Sequence, residues 1–408
     1  MKTLSKNVYL SVMTTLLVIT SSSAHASRQD TGGQPNPLDS VEISLLTCEP
    51  YNKVYSLYGH TAIRINDMVS GEDLAVNYGV FDSSAKNFTL RFIFGLTDYE
   101  VGIYPFDIFC HEYERAGRYV KEQVLDLTAS EKQKIIQDIA VNSLPENKVY
   151  RYNIFYNNCT TRARDVILDN IDGEIVFAES QNHPSFRQMV HKYTKEHRWS
   201  AFGNDILLGL KADAETTNFE QQFLPERLLA AFSTAMRARD SNTQTPLVKV
   251  TRVIVPSAEK EADNSFPLTP THVGLIILAV VIALTIAEQR RKTYFAALDA
   301  TIYLVCGAIG ILLTMMIFSQ HPTVQVNLQL LLFNPLPLLF GWQAIRRRQK
   351  GKSHWMTTAW IYMIFLFFIG RYLQTYAEGT EYIAFAVAIR LLTSRHVLRK
   401  NKLKNAGK

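Results

Sequence analysis

An α+β exported domain followed by a bundle of α-helical membrane segments is the architecture that this 408-residue sequence predicts. Three observations lead there. The N-terminus has the pattern of an export signal, strand-period and helix-period segments alternate from Val41 to Ile171, and near Thr271 the composition changes to long apolar runs. The length allows two or three compact units.

Taken in order, Lys2 and Lys6 precede an apolar run from Val8 to Ile19, and Ala24-His25-Ala26 forms a cleavage pattern. Residues 1–26 are thus a signal peptide or an uncleaved anchor, with the same topology either way. Residues 27–40 are polar with Gly and Pro, a short linker. "VEISLLT" (41–47) reads as a strand. "HTAIRI" (60–65) alternates, with Ile63 and Ile65 on one face and His60, Ala62 and Arg64 on the other. A turn at Val69–Glu72 joins it to "LAVNYGVF" (74–81), and "YVKEQVLDL" (119–127) is a further strand. Residues 128–144 open on Thr128 or Ser130 as a cap and space Ile135, Ile136 and Ile139 as a helix does. "KVYRYNIF" (148–155) is a strand that runs into "YNNCTTRARD", where Asn158 caps a helix carrying Ala163, Val166, Ile167 and Ile171. The polar stretch 241–270 then reads as a linker to the membrane.

Five apolar segments follow, 272–287, 294–318, 325–345, 355–376 and 381–394. The middle three reach the span of about 20 residues that a bilayer requires; the other two are shorter, and Arg390 in the last can snorkel to the inner surface. Basic residues cluster at 290–292, at 346–352 and after 394, whereas the loops 319–327 and 377–381 have none. The positive-inside rule therefore places those clusters in the cytoplasm and the first 270 residues outside it. Residues 288–408 hold sixteen Lys and Arg against four acids, a net of +12, while the whole chain is +6 and residues 1–287 are −6. The basic balance marks the inner membrane face and gives no footprint for nucleic acid.

Cys48, Cys110 and Cys159 lie in the exported part, and Cys306 lies inside a membrane segment. Three exported thiols leave at least one over in an oxidising compartment. Cys48 and Cys110 adjoin apolar runs and are either paired or core residues. Cys159 sits among polar residues at a helix start, where the dipole and backbone N–H groups favour a thiolate and can hold an oxyanion. A buried structural thiol remains the alternative. His60, His111, His183, His191 and His197 are the exported histidines beyond His25. Of these only His60, after Gly59, lies in a strand-like alternation; it is either a base for the thiol or a structural histidine. His183, His191 and His197 are spaced by eight and six, which matches no common metal motif. Asp205 and Asp213 either face substrate or belong to a solvated loop.

The motifs "YGHTAIR" (58–64) and "YNNCTTRARD" (156–165) resemble the Lnb-type lipoprotein N-acyltransferase family. So do "LLTCEP" (45–50), "VNYGVFD" (76–82), "ILLGLKAD" (206–213), "FLPERL" (223–228) and "HPTVQVNLQLLLFNPLPLL" (321–339), so the likeness runs over nearly the whole chain. It implies a periplasmic catalytic domain at 27–240 and a five-segment transmembrane domain at 271–408. It also implies Cys159 as nucleophile and His60 as base, with Asn77 as the third polar group. The His-before-Cys order resembles permuted papain-like (NlpC-like) enzymes as well. The implied reaction moves an acyl chain from a membrane phospholipid to the α-amine of a diacylated lipoprotein through a thioester, with no cofactor or metal. Asn158, Arg162 and His321 are the candidate substrate contacts, Arg162 or Arg164 through lipid phosphate and His321 through a groove at the Asn334-Pro335-Leu336-Pro337 break. The location implied is the inner membrane of a Gram-negative bacterium, with a cytoplasmic C-terminus. A cell-envelope amidase or peptidase with the same pair, and a membrane-tethered binding module without chemistry, are the rival readings.

Overall fold

Alternating apolar residues build the main sheet, as the computed structural model of residues 36–52, 56–240, 243–258 and 266–406 shows. Residues 1–26, expected as the leader, and most of the 27–40 linker lie outside the described residues. The chain divides into two units: Met1–Pro184 with Thr216–Asp263, and Ser185–Glu215 with Asn264–Lys408.

In the first unit the strands are β1 (Val41–Cys48), β2 (His60–Asp67), β3 (Glu72–Val80), β4 (Asp98–Pro105), β5 (Val120–Leu125), β6 (Val149–Arg151), β7 (Glu174–Val176), β8 (Met236–Asp240), β9 (Thr243–Pro246) and β10 (Val248–Val255). Seven of them form an antiparallel sheet in the order β10-β5-β1-β2-β3-β4-β6, and β7-β8-β9 form a second, small one. The expected hairpin is present, with Ile63 opposite Val76 and Ile65 opposite Leu74. The helices of this unit are α1 (Phe88–Ile93), α2 (Phe106–Arg115), α3 (Ala129–Asn142) and α4 (Cys159–Leu168). On one sheet face, Ile43, Leu45, Ile63, Ile65 and Val76 pack with Ile135, Ile136 and Ile139 of α3 and Ala163 and Ile167 of α4. The other face carries Leu46, Cys48, Ala62 and Ala75 under Phe106, Phe109 and Tyr113 of α2. Cys48 and Cys110 are both free thiols in that second layer.

Two boundaries differ from those expected. Residues 241–270 are not all linker, because β10 pairs with β5 as an edge strand. Its side chains from Lys249 to Val253 are exposed, so the β-branched run "VKVTRVIV" forms an edge strand held by backbone bonds and by Arg252 on Glu42. The 148–155 strand is short: pairing stops at Arg151, and Asn153 and Asn157 close a tight turn that delivers the chain to α4. β4 and α1, which the sequence reading passed over, lie in the aromatic stretch 88–105.

The second unit contains α5 (Phe186–Thr194) and α6 (Arg198–Leu207), from a stretch that lies within the 27–240 expected for the periplasmic domain. With α7 (Pro225–Thr234) returning to the first unit, the remaining helices are α8 (Pro270–Arg291), α9 (Ala296–Met316), α10 (Leu336–Gln349), α11 (Trp355–Gly370) and α12 (Thr380–Ala406). Among the described residues, three stretches are long and apolar enough to cross a membrane: Pro270–Arg291, Ala296–Met316 and Leu328–Gln349. The first segment is therefore longer than expected. The fourth is shorter, since α11 ends at Gly370 where Gln374 leaves the helix line to accept from Leu328 N–H and donate to Asn327. A 3₁₀ turn (Leu328–Leu331) and a break at Asn334-Pro335 precede α10, as Pro at these positions requires. Arg390 does not snorkel. It is 1% exposed and pairs with Glu288 and Asp299 at 2.6 Å, while Arg348 pairs with Asp299 at 2.5 Å.

Candidate active site

Asn158 is the residue that shapes the start of α4. Its Oδ1 accepts from the N–H groups of Thr160 and Thr161 at 2.8 and 2.9 Å, and its Nδ2 donates to the carbonyls of Ile154 and Phe223. Every polar atom of this buried side chain is bonded within the fold, so it positions the thiol, and at the cavity that it also lines it presents no unbonded polar atom. The cap also consumes two of the helix-start donors expected for an oxyanion. The Cys159 N–H is the donor that remains, with no partner among the described residues.

His60 reaches the same point from the first residue of β2. Asn77 Oδ1 accepts from the Gly79 N–H at 2.7 Å and lies 2.8 Å from His60 Nε2. A backbone N–H can only donate, so the Asn77 atom between these groups is oxygen, and Nε2 must carry the imidazole proton. Nδ1 is then the basic nitrogen left for Cys159, with which His60 is hydrogen-bonded. A break in register between β3 and β4 after Asn77 places this loop of backbone beside the ring. Gly79 is needed there: a Cβ would lie 2.7 Å from His60 Cε1. Gly59, at φ +81°, turns the chain into β2 where a Cβ would meet the Cys48 carbonyl at 2.7 Å. Below the pair, Thr61 Oγ1 donates to Thr160 Oγ1 at 3.1 Å and ties β2 to α4.

The electrostatics follow from these contacts. Burial pushes the Cys159 thiol up, but His60, the Thr61 N–H and the Thr160 hydroxyl outweigh it and bring the pKa from 9.0 to about 7. Burial likewise opposes charge on His60, yet the adjacent thiolate and the hydrogen bonds to Cys159 and Asn77 raise its pKa above the ordinary value. The two groups favour a thiolate–imidazolium pair. Cys48 behaves in the opposite way: burial pushes it up to about 12, outweighing the hydrogen bond to Tyr113 and the charge of Arg118.

A cavity of about 330 Å³ opens on this pair. Its walls are mainly aromatic and apolar: Phe81, Phe88, Phe92, Tyr99, Tyr152 and Phe223. Tyr99 stacks on Tyr152 at 4.0 Å and on Phe81 at 4.8 Å, so the wall is a continuous run of rings. Leu224 and Pro225 close one side. The motif "FLPERL" was noted in the sequence without a role, and the aromatic spacing of 88–99 was the signal available for the rest of the wall.

The other candidates lie elsewhere. Arg162 does not line the cavity; its Nε donates to Asn157 at 2.7 Å and its guanidinium stacks on Tyr150. Arg164 is buried over Phe219 and bonded to Asp165. His321 is buried in the second unit, its N–H bonded to Ser319, and is not among the cavity residues. Asp205 and Asp213 neither face a substrate cavity nor sit in a solvated loop, for both bind Arg187, and His191 bonds Asp205. His183 bonds the Thr216 carbonyl.

Comparison with known proteins accounts for both units. No curated protein and no solved structure matches the chain. Residues 30–193 match the Lnb N-terminal periplasmic domain, and residues 261–402 match the Lnb transmembrane domain. A periplasmic domain with apolar helices after it is what this pairing describes, and the chain belongs to the Lnb family.

Proposed function

We propose that this protein is a thiol N-acyltransferase that moves an acyl chain from a membrane phospholipid to the N-terminal α-amine of a diacylated lipoprotein. The observation that carries the reading is a Cys159–His60–Asn77 chain at the base of an aromatic cavity in a membrane-bound protein. Cys159 sulfur attacks the ester carbonyl, and the Cys159 N–H faces the developing oxyanion. The imidazolium of His60 gives its proton to the departing lysophospholipid oxygen, leaving a thioester. The incoming amine, with an ordinary pKa near ~8, attacks that thioester as His60 Nδ1 takes its proton; an amide forms and the thiolate returns. Asn77 keeps the proton on Nε2 throughout, so Nδ1 serves both steps.

An apolar wall suits an acyl chain and keeps water from the thioester while the amine approaches. Substrates that are themselves lipids also arrive concentrated at the membrane. The helix-borne cysteine following a strand-borne histidine supports the permuted papain-like relationship. An inner-membrane location with the C-terminus in the cytoplasm belongs to the same reading.

Mass spectrometry of lipoprotein N-termini tests it, using purified protein in phospholipid vesicles with a diacylated lipopeptide. The expected result is a three-chain lipopeptide and an acyl thioester on Cys159. Cleavage of the peptide without acyl gain points instead to an amidase. Neither product, with Cys159→Ala indistinguishable from the parent, points to a binding module.

A further inference from the structure

The segment Ser185–Glu215 presents a basic and aromatic face that the proposed chemistry does not use. Trp199, on α6, donates its indole N–H to the Leu268 carbonyl at 2.8 Å, two residues before α8 begins at Pro270. Its ring meets Phe202 at 5.6 Å and Phe266 at 6.3 Å, both edge-on. Trp199, Phe266 and Leu268 are nevertheless exposed, Phe266 by 61%. On the same stretch Lys192, Lys195 and Arg198 are exposed, with Glu196 between them and Arg198 bonded to Glu378 at 3.1 Å. The platform under these groups is rigid, since Arg187 of α5 is 1% exposed and grips Asp205 and Asp213.

We infer that α5 and α6 form a phospholipid-docking surface lying in the headgroup layer of the outer leaflet. Trp199, Phe202, Phe266 and Leu268 sit at the acyl boundary, and Lys192, Lys195 and Arg198 meet lipid phosphates. Continuity with the membrane helix selects the occupant. Phe266 and Leu268 lead directly into the 22-residue apolar helix α8, so the bilayer that α8 crosses begins at the level of Trp199. An indole with its N–H satisfied and its ring exposed at the end of a span is the arrangement that interfacial tryptophan favours. Cations on flexible stems beside it complement the phosphate charge.

The test uses the full-length protein in vesicles of phosphatidylethanolamine and phosphatidylglycerol, with acyl chains brominated near the headgroup. The difference in fluorescence between the parent and Trp199→Phe isolates Trp199 from the other three tryptophans. Loss of at least half of that difference signal on bromination is expected. A signal untouched by bromolipid but quenched by aqueous iodide overturns the proposal. Replacing phosphatidylglycerol by phosphatidylcholine should weaken the quenching in the parent but not in K192Q/K195Q/R198Q. Equal quenching in both lipids for the parent overturns the role given to the cations.

Discussion

Two of the places where this molecule buries ionisable groups serve different ends. In the membrane unit, Glu288, Asp299, Arg348 and Arg390 join α8, α9, α10 and α12, and each acid is matched to a guanidinium within 2.6 Å. In the periplasmic unit, Cys159 and His60 are matched to one another and left half-buried at a cavity. The first arrangement spends its charges on holding helices. The second keeps a sulfur and one backbone N–H open to an incoming molecule. Burial of charge therefore does not by itself mark chemistry here; an adjoining cavity and an unspent donor do.

The sharpest separation of the two comes from Cys159→Ala. It should lower acyl transfer by about 10³-fold or more while leaving the thermal midpoint in detergent unchanged. Next in size, Asp299→Ala strands the buried guanidinium of Arg348 and takes one of the two acids from Arg390, which keeps Glu288. The change should cost about 3–5 kcal/mol of stability, seen as a lower midpoint, while leaving the acidity of the Cys159 thiol in place. That acidity is measurable as the pH dependence of alkylation. The parent should react increasingly as pH rises through about 7, because the thiolate forms there. In His60→Ala the inflection should move up towards or beyond 9, because burial remains and the opposing cation is gone. Gly79→Ala forces the imidazole aside and should cost about 10²-fold in rate with little loss of stability, read as kcat against midpoint. The smallest effect is expected from Arg162→Gln, about 2-fold or less in rate, since its contacts are with Asn157 and Tyr150. A drop as large as that of Gly79→Ala would place Arg162 in the site after all.

The cap Asn158 was legible from local pattern, whereas for Cys159 and His60 that pattern left a structural thiol and a structural histidine open, and the roles proposed for them come from the family motifs. Asn77 was legible only through its motif, and its effect on the imidazole proton depends on a bond to Gly79 that sequence does not display. The misplacement of Arg162 has a simple cause. A residue three positions after Cys159 lies on a neighbouring part of the helix surface, but which neighbour it meets is decided by the sheet. Asp205 and Asp213 were read as loop acids because their partner, Arg187, is distant in sequence. The linker expectation for 241–270 rests on the polar stretches "SNTQTP" and "SAEKEADNS" and overlooks the β-branched run "VKVTRVIV" between them.

Thr61 and Thr160, 99 residues apart in sequence, meet directly beneath the reactive sulfur. A chain still emerging through the membrane therefore presents Cys159 as an ordinary, sluggish thiol. The acidity of its thiol arises only when the strand and the helix close on each other, so in the proposed reaction Cys159 meets lipid only after folding.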